Sequence, residues 1–287
     1  MRIIVTGAKG QLGTDLSAEL QSRGHETIGA DIDNMDITDC NAVDAFIAEA
    51  KADAVIHCAA YTATDKAEDE IEICRLVNFT GTENIAKACR KYGVKMLYIS
   101  TDYVFDGEGT EPFKVDDKAA PLSVYGKTKY EGECAVRELL DDYFIVRISW
   151  VFGVYGNNFI KTMLRLSEKS NVINAVADQI GSPTYTVDLS KLLADMIVTD
   201  KYGTYHATNE GYCSWYDFAC EIFKQAGKTD MQVNPVASDF FTYKIKRPEN
   251  SRMDKSKLDE NGFSRLPTWQ DALGRFLAEL KEQEAKG

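Results

Sequence analysis

The stretch Arg2-Ile3-Ile4-Val5-Thr6-Gly7-Ala8-Lys9-Gly10-Gln11-Leu12-Gly13 decides the fold. Arg2 to Val5 is a short run rich in β-branched residues, the pattern of a parallel strand buried on both faces. Asp15 to Leu20 reads as helix, with Leu12, Leu16 and Leu20 recurring along one face. A strand, a glycine-rich turn and a helix in that order make a phosphate cradle. Glycine lets the backbone turn tightly and come close to a pyrophosphate, whose charge then sits on the free N–H groups and positive end of the helix. Gly7, Gly10 and Gly13 depart from G-x-G-x-x-G by one residue in the first gap, and an ordinary βα turn can use glycine for shape alone. The position favours the nucleotide: the strand starts at Arg2 and the helix stands directly behind the glycines.

A chain of 287 residues, 27% charged and 44% hydrophobic, has the composition of a globular protein with a large core, as one α/β domain or two smaller ones. Its formal net charge of -12 argues against nucleic acid and anionic membranes as partners, because both need a basic face. Met1 leads straight into the first strand without a signal-peptide pattern, and no apolar run is long enough to span a bilayer. The seven cysteines are scattered without a C-x-x-C pair. That usage fits reduced thiols, so a cytoplasmic location is expected. The three histidines lie far apart and give no metal-ligand motif, so no metal is expected.

Behind the first helix the strand–helix alternation continues. Glu26 to Ala30 reads as a second strand and ends at Asp31, which lies 18 residues past Gly13. An acid at about that distance is where a dinucleotide fold holds the adenosine ribose hydroxyls. Gly24 to Ala50 contains no Lys or Arg but carries Asp31, Asp33, Asp36, Asp39 and Asp44, a setting that repels a 2′-phosphate and favours NADH over NADPH. Lys9 is the nearby cation that could reverse this preference. Thr38 or Asp39 is the expected cap of the next helix. Ala54 to Ala60 is a third buried strand in which His57 reads as a packed core residue. Asn78 and Asn84, in the mostly helical stretch from Lys66 to Tyr92, read as surface amides.

Lys95 to Ser100 is the fourth strand, with Thr101 at its end. A helix begins near Ser123 and runs to about Leu140, placing Tyr125 and Lys129 one turn apart on a shared face. A phenol with a pKa of about 10 is a weak acid, and an adjacent ammonium favours the phenolate. Such a tyrosine can protonate a carbonyl oxygen as hydride reaches the carbon, with the Thr101 hydroxyl as second hydrogen-bond donor. Y-x-x-x-K alone usually marks two residues on a wet helix face; with the glycine loop and the strand-end Thr, in this order, it is specific.

Thr6 to Gly13 as T-G-x-x-G-x-x-G, Asp31, Thr101 and the Tyr125/Lys129 pair together resemble the extended short-chain dehydrogenase/reductases. Ala60–Glu68, Ser100–Gly107, Arg147–Gly153, Asn157–Met163, Asp178–Thr184, Ser214–Phe218 and Lys246–Pro248 narrow the resemblance to the dTDP-4-dehydrorhamnose reductases, over nearly the whole chain. It implies a doubly wound Rossmann-type parallel sheet and a cleft that takes NADH or NADPH with a sugar nucleotide. Gly7, Gly10, Gln11, Leu12, Asp31, Asp36, Ile37, Ala60, Tyr61 and Thr62 would line the dinucleotide, joined by Tyr125 and Lys129. Thr101, Asp102, Trp150 and Asn158 would contact the sugar nucleotide, and Thr101, Tyr125 and Lys129 would form the catalytic set. The family often has histidine where this chain has Tyr61. Some members join two subunits through magnesium held by glutamates; no match is found here, although Asp15 and Asp188 fall nearby. The resemblance admits a homodimer, and without those glutamates it does not carry over dimerisation through a metal.

Tyr143 to Ile148 reads as a fifth strand, Thr186 to Asp200 as a helix and Gly203 to Ala207 as a sixth strand, after which the alternation stops at Gly211. Ser214 is an expected N-cap, and Pro267-Thr268-Trp269 opens a last helix whose end, from Lys281 to Gly287, is expected to fray. In an acidic chain the cluster Lys244, Lys246, Arg247 and Arg252 is where an anion would be held, with Arg247 the candidate for a diphosphate. Residues 1–150, with 184–208 returning to them, form the expected dinucleotide-binding domain; 151–183 and 209–287 form a smaller C-terminal substrate lobe. The implied reaction is reduction of the C4 ketone of a dTDP-6-deoxy-4-keto sugar. A sugar-nucleotide 4-epimerase and a non-catalytic dinucleotide-binding subunit are the alternatives. A 4,6-dehydratase is disfavoured because Tyr103 stands where that chemistry needs a carboxylate base.

Overall fold

The computed structural model describes residues 1–285. Six strands, β1 (Arg2–Thr6), β2 (Glu26–Ala30), β3 (Ala54–His57), β4 (Lys95–Thr101), β5 (Tyr143–Ile148) and β6 (Gly203–His206), form one parallel sheet in the order β6-β5-β4-β3-β1-β2. The period-two alternation of the inner strands β1, β3, β4 and β5 feeds two cores. Ile3, Val5, Ile56 and Leu97 pack with Leu12, Leu16 and Leu20 of α1 (Gln11–Ser22), and a second helix, Thr186–Ile197, adds Leu189, Leu193 and Ile197. On the other face Ile4, Val55, Met96 and Ile145 pack with Val43 and Ile47 of Cys40–Ala50, Ile85 of Thr82–Tyr92 and Val136 of Val124–Leu139. With helices on both faces of a parallel sheet, this is a doubly wound Rossmann-type fold.

Because β1 neighbours β2 on one side and β3 on the other, the chain reverses direction across the sheet at β1. A crevice opens there, at the carboxyl ends of the strands. Contact across it is close: a Cβ on Gly7 would lie 2.9 Å from Ala59 Cα, and one on Gly13 only 2.1 Å from the Gly7 carbonyl oxygen. Side-chain-free residues are therefore required at both positions. They also explain why α1 starts at Gln11 rather than at the expected Asp15: Gly13 is already helical and lies flat on the turn.

Polar caps fix the other helices where the sequence placed them. Asp39 accepts from Asn41 N and Ala42 N, Ser123 from Gly126 N, and Ser214 forms a reciprocal capping box with Asp217. Thr268 caps the last helix, which runs from Trp269 to Glu284; 286–287 of the expected frayed end lie outside the described residues. A third core, containing Phe152, Ile160, Phe218, Phe223, Trp269 and Phe276, holds the C-terminal elements together. The alternation does not stop at Gly211. Gln232–Val236 is a strand, paired in parallel with Val172–Val176. Both are short and partly exposed, and Pro235 sits inside one of them, so their pattern carries little strand signal.

Candidate active site

One cleft of about 830 Å³ opens at the carboxyl ends of the sheet strands. Of the residues singled out from sequence, Gly7, Gly10, Gln11, Leu12, Asp31, Asp36, Ile37, Ala60, Thr62, Thr101, Asp102, Tyr125, Lys129 and Trp150 line it. Tyr61, Asn158 and Arg247 lie outside this wall.

At the glycine end, Gly10 is the N-cap of α1 and contributes no side-chain cap, and the first turn carries no acid. The first turn of α1 lines the cleft with its N-terminus uncapped by any side chain, as a pyrophosphate site requires. Asp31 accepts from Lys9 N at 3.1 Å, while the Lys9 ammonium is drawn to Asp33 at 2.6 Å. Asp36 Oδ1 takes the amide and hydroxyl of Thr38, at 2.9 and 2.8 Å, and so shapes the loop that presents Ile37. That loop is anchored from below, because Asn84 Nδ2 donates to the Ile37 carbonyl at 3.0 Å. Glycine loop, terminal acid and apolar wall fit the phosphates, ribose and adenine of a dinucleotide.

Asn84 and Asn78 are not surface amides; both are buried. Asn78 Oδ1 accepts the Tyr61 amide at 2.8 Å, and its Nδ2 donates to the Tyr61 carbonyl at 3.1 Å and to Thr128 Oγ1 at 3.2 Å. One side chain thus clamps the 60–62 segment to the helix that carries Tyr125 and Lys129. Asn78 sits in the π-helical turn Leu76–Gly81, a local widening common at functional sites. Tyr61 is fixed through its backbone, and its hydroxyl turns away to donate to Glu70.

The reactive end is assembled by close packing of Val124–Leu139 on β4 and on the Asp102–Val104 turn behind it. A Cβ on Gly126 would lie 2.2 Å from the Tyr103 carbonyl oxygen, and one on Gly132 2.6 Å from the Tyr98 hydroxyl. With both positions bare, Lys129 reaches under the strand end. Its ammonium donates to the Ile99 carbonyl at 2.8 Å and lies 4.2 Å from the centre of the Tyr98 ring. Burial pulls its pKa down to about 7, against an opposing pull from Glu133. Glu133, one turn further along the same face, is fully buried and accepts from Ser100 at 2.5 Å and from Arg147 Nε and Nη2, both at 2.8 Å.

Tyr125 differs from the expectation. Burial and the charge of Asp102 push its phenol up, and Lys129 does not offset them. Thr101 Oγ1 accepts from Tyr103 N at 3.2 Å and donates to Asp102 Oδ1 at 3.0 Å. Trp150 takes a left-handed backbone (φ 49°) and stacks on Trp215 at 3.7 Å, an aromatic wall in a costly conformation that its surroundings hold in place. Asn158 caps Phe159–Ser167 and donates to Gln11 and to the Gly153 carbonyl. Arg247 pairs with Asp65 at 2.8 Å and lies over the Tyr243 ring. Sequence reading assigned no site role to Asn78, Ser149 or Asn157; the last two line the cleft and fall within the Arg147–Gly153 and Asn157–Met163 stretches, where nothing in the spacing singles them out.

Comparison with known proteins agrees with this geometry. The family profile of the RmlD substrate binding domain matches residues 1–282. The dTDP-4-dehydrorhamnose reductase of Aggregatibacter actinomycetemcomitans is 40% identical over 289 residues, covering 96% of this chain and 98% of its own length. This chain belongs to the dTDP-4-dehydrorhamnose reductase family. A crystal structure of such a reductase from Clostridium acetobutylicum is 41% identical and superposes with a TM-score of 0.95, covering 98% of this chain and 100% of that one. Another, from Bacillus anthracis in complex with NADP, is 44% identical with a TM-score of 0.93 and covers 97% and 99%.

The metal that some family members hold between subunits does not fit the residues present here. Asp188 binds both terminal nitrogens of Arg275, at 2.7 and 2.6 Å, and Asp15 accepts the Thr186 hydroxyl. A guanidinium already supplies the positive charge. Among the described residues, no group of three or more His, Cys, Asp or Glu side chains could hold a metal ion, and no helix is long and apolar enough to cross a membrane.

The lowered pKa of Lys129 gives a stability test. Between about 7 and the ordinary lysine range, the unfolded chain binds a proton that the folded one does not, so this group raises stability as pH rises. Raising the pH from 7 to 9 is expected to stabilise the wild type relative to Lys129→Met, by at most about 1.4 kcal/mol per pH unit. Urea unfolding of both proteins at the two pH values measures it, and parallel behaviour contradicts the buried-ammonium reading.

Proposed function

We propose that this protein reduces the C4 ketone of dTDP-4-dehydrorhamnose, a dTDP-6-deoxy-4-keto sugar, to give dTDP-L-rhamnose. The observation that carries the reading is the meeting of Thr101, Tyr125 and Lys129 at one end of a cleft whose other end holds the glycine loop and Asp31. When bound, NADH or NADPH supplies the hydride. The sugar nucleotide lies between the sheet domain (1–150 with 184–208) and the lobe of 151–183 and 209–287. Tyr125 hydrogen-bonds the ketone oxygen and gives up its proton as negative charge develops there. Lys129, which lines the cleft one helical turn from Tyr125, would hold the nicotinamide ribose beside that tyrosine. Trp150, rigid against Trp215, presents a flat apolar face to the sugar. Arg247, at the rim, exchanges Asp65 for the diphosphate. Tyr103 cannot serve as a dehydratase base, because burial and Asp102 hold its phenol well above the usual range. A homodimer of this chain would form without a bridging metal, and sedimentation velocity measures it.

The decisive experiment supplies purified protein with dTDP-4-dehydrorhamnose and follows NADH absorbance. One NADH consumed per ketone, and no reaction with dTDP-glucose, is the expected result. Sugar inversion without net oxidation of cofactor contradicts it and favours a 4-epimerase; no turnover with any 4-keto sugar favours a non-catalytic subunit.

Tyr125→Phe is expected to lower kcat by about 10²–10⁴ with the affinity for NADH nearly unchanged. Single-turnover rates and fluorescence titration measure the two quantities, and near-normal turnover places the proton donor elsewhere.

NADH is expected to serve at least as well as NADPH. Asp31, which lines the cleft, would accept the ribose hydroxyls, and Lys9 is already paired with Asp33, which leaves it less available to a 2′-phosphate. Comparing kcat/KM for the two cofactors tests this. A strong NADPH preference abolished by Lys9→Ala would show that the lysine outweighs the acids.

A further inference from the structure

Asn158 lies outside the cleft wall, yet its side chain is one link in a chain of amides that ends at Val151, next to Trp150. Its Oδ1 accepts Lys161 N at 3.1 Å and so caps the Phe159–Ser167 helix. That settles the direction of the amide: Nδ2 donates to the Gly153 carbonyl at 2.8 Å and to Gln11 Oε1 at 3.0 Å. Gln11 is settled in turn. With Oε1 turned to Asn158, its Nε2 is left for the Val151 carbonyl, a longer contact of 3.4 Å. Flipping either amide would set donor against donor or acceptor against acceptor. The chain has one self-consistent orientation.

Packing follows the same line. A Cβ on Gly153 would lie 3.2 Å from Gln11 Cγ and 2.2 Å from Thr186 Oγ1, so the chain passes close against both side chains. Beyond it, Lys161 Nζ donates to the carbonyls of Val154 and Gly156 and closes the 154–158 turn. On their other edge, Val151 and Phe152 pair with Thr184 and Tyr185. The stretch held in this way begins at Trp150, whose left-handed backbone persists only under such restraint. Gln11 is also the first residue of α1 and lines the cleft. Its main chain belongs to the turn on which a pyrophosphate would rest, while its side chain is spent on the sugar wall.

We propose that Asn158 is a positioning residue: through the Gln11 amide it fixes the wall of Trp150 and Val151 to the dinucleotide-binding turn, and so sets the distance between nicotinamide and ketone. The inference rests on the reductase reading above. Asn158 touches neither ligand and makes or breaks no bond. Hydride passes from the reduced nicotinamide to the ketone carbon, and that step needs the reacting atoms within about 3–3.5 Å. Cofactor and sugar rest on different segments of the chain, so their separation is only as constant as the link between those segments. A misplacement of about 1 Å can cost about a hundredfold in rate.

Two measurements with the full chain test it. Asn158→Ser keeps a capping hydroxyl for Lys161 N, but one hydroxyl cannot accept that bond and also span the gap to Gln11. Single turnovers at saturating NADH and sugar nucleotide are expected to be about ten- to a hundredfold slower in this variant, with the affinity for NADH nearly unchanged. Gln11→Ala removes the other half of the link, and the double variant is expected to be no slower than Gln11→Ala alone. Rates that multiply in the double variant, or a loss confined to NADH affinity, overturn the proposal. The second measurement needs no turnover. The indole N–H signal of Trp150 in the free protein, assigned by its loss in Trp150→Phe, is expected to shift in Asn158→Ser and in Gln11→Ala, and no further in the double variant. A signal unmoved in Asn158→Ser overturns the link whatever the activity. A wild type that oxidises no cofactor with any 4-keto sugar sinks the reductase reading and this role with it, and a Trp150 signal that still shifts tells that failure apart from failure of the link.

Discussion

An ammonium group taken out of water costs several kcal/mol unless its charge is met by dipoles or a counter-charge. Lys129 is 3% exposed, and the surrounding structure is shaped to meet it. The Ile99 carbonyl and the Tyr98 ring face are supplied by β4, and the Tyr98 hydroxyl in turn donates to the Lys129 carbonyl at 3.3 Å. These groups come within reach only because Gly126 and Gly132 let the helix settle against the turn and the strand. Glu133, next on the same face, brings the nearest negative charge, and its own burial requires Arg147 from β5 and Arg137 from its own helix. A chain of charge compensation therefore runs from the cleft through the sheet, and it ties the position of Tyr125 to the core.

The opposite end of the cleft is built on a different economy, in which backbone replaces side chain. Gly7 and Gly13 bring three stretches of main chain into contact, and the helix N-terminus supplies the favourable field for an anion without any buried charge. Between the two ends, Asn78 fixes their separation. It satisfies both backbone groups of Tyr61 and bonds to Thr128, whose hydroxyl donates to the Tyr125 carbonyl at 3.0 Å. A buried amide with its partners in place is rigid, because each lost bond would leave a polar group unpaid in a dry environment.

Much of this was legible in the chain itself. Strand–helix alternation gave all six sheet strands, since a strand buried on both faces leaves an apolar run that needs no tertiary information. The cleft lining was legible for the same reason, being made of residues at strand ends and at the glycine turn. What escaped depended on partners distant in sequence. Asn78 and Asn84 look solvated by polarity alone, and only the loops at Tyr61 and Ile37 make their burial affordable. Val172–Val176 and Gln232–Val236 pair with each other outside the main sheet, so neither shows the apolar pattern that identified the rest. The Tyr125/Lys129 spacing was read correctly as a shared face, but the tuning of the phenol was not, because burial outweighs the one-turn spacing.

That last difference changes how the site holds its protons. The spacing suggested a cation lowering the pKa of a phenol. Instead burial acts on both flanking groups in opposite directions: it draws Lys129 down to about 7 and lifts Asp102 to about 6. Two groups whose ordinary values stand more than six units apart are thereby brought close to neutrality on either side of Tyr125. The phenol, pushed up by the same burial, stays protonated between them. A site arranged in this way keeps its acid loaded near neutral pH without needing a phenolate at rest, and the free energy that holds it there is the desolvation of the groups around it.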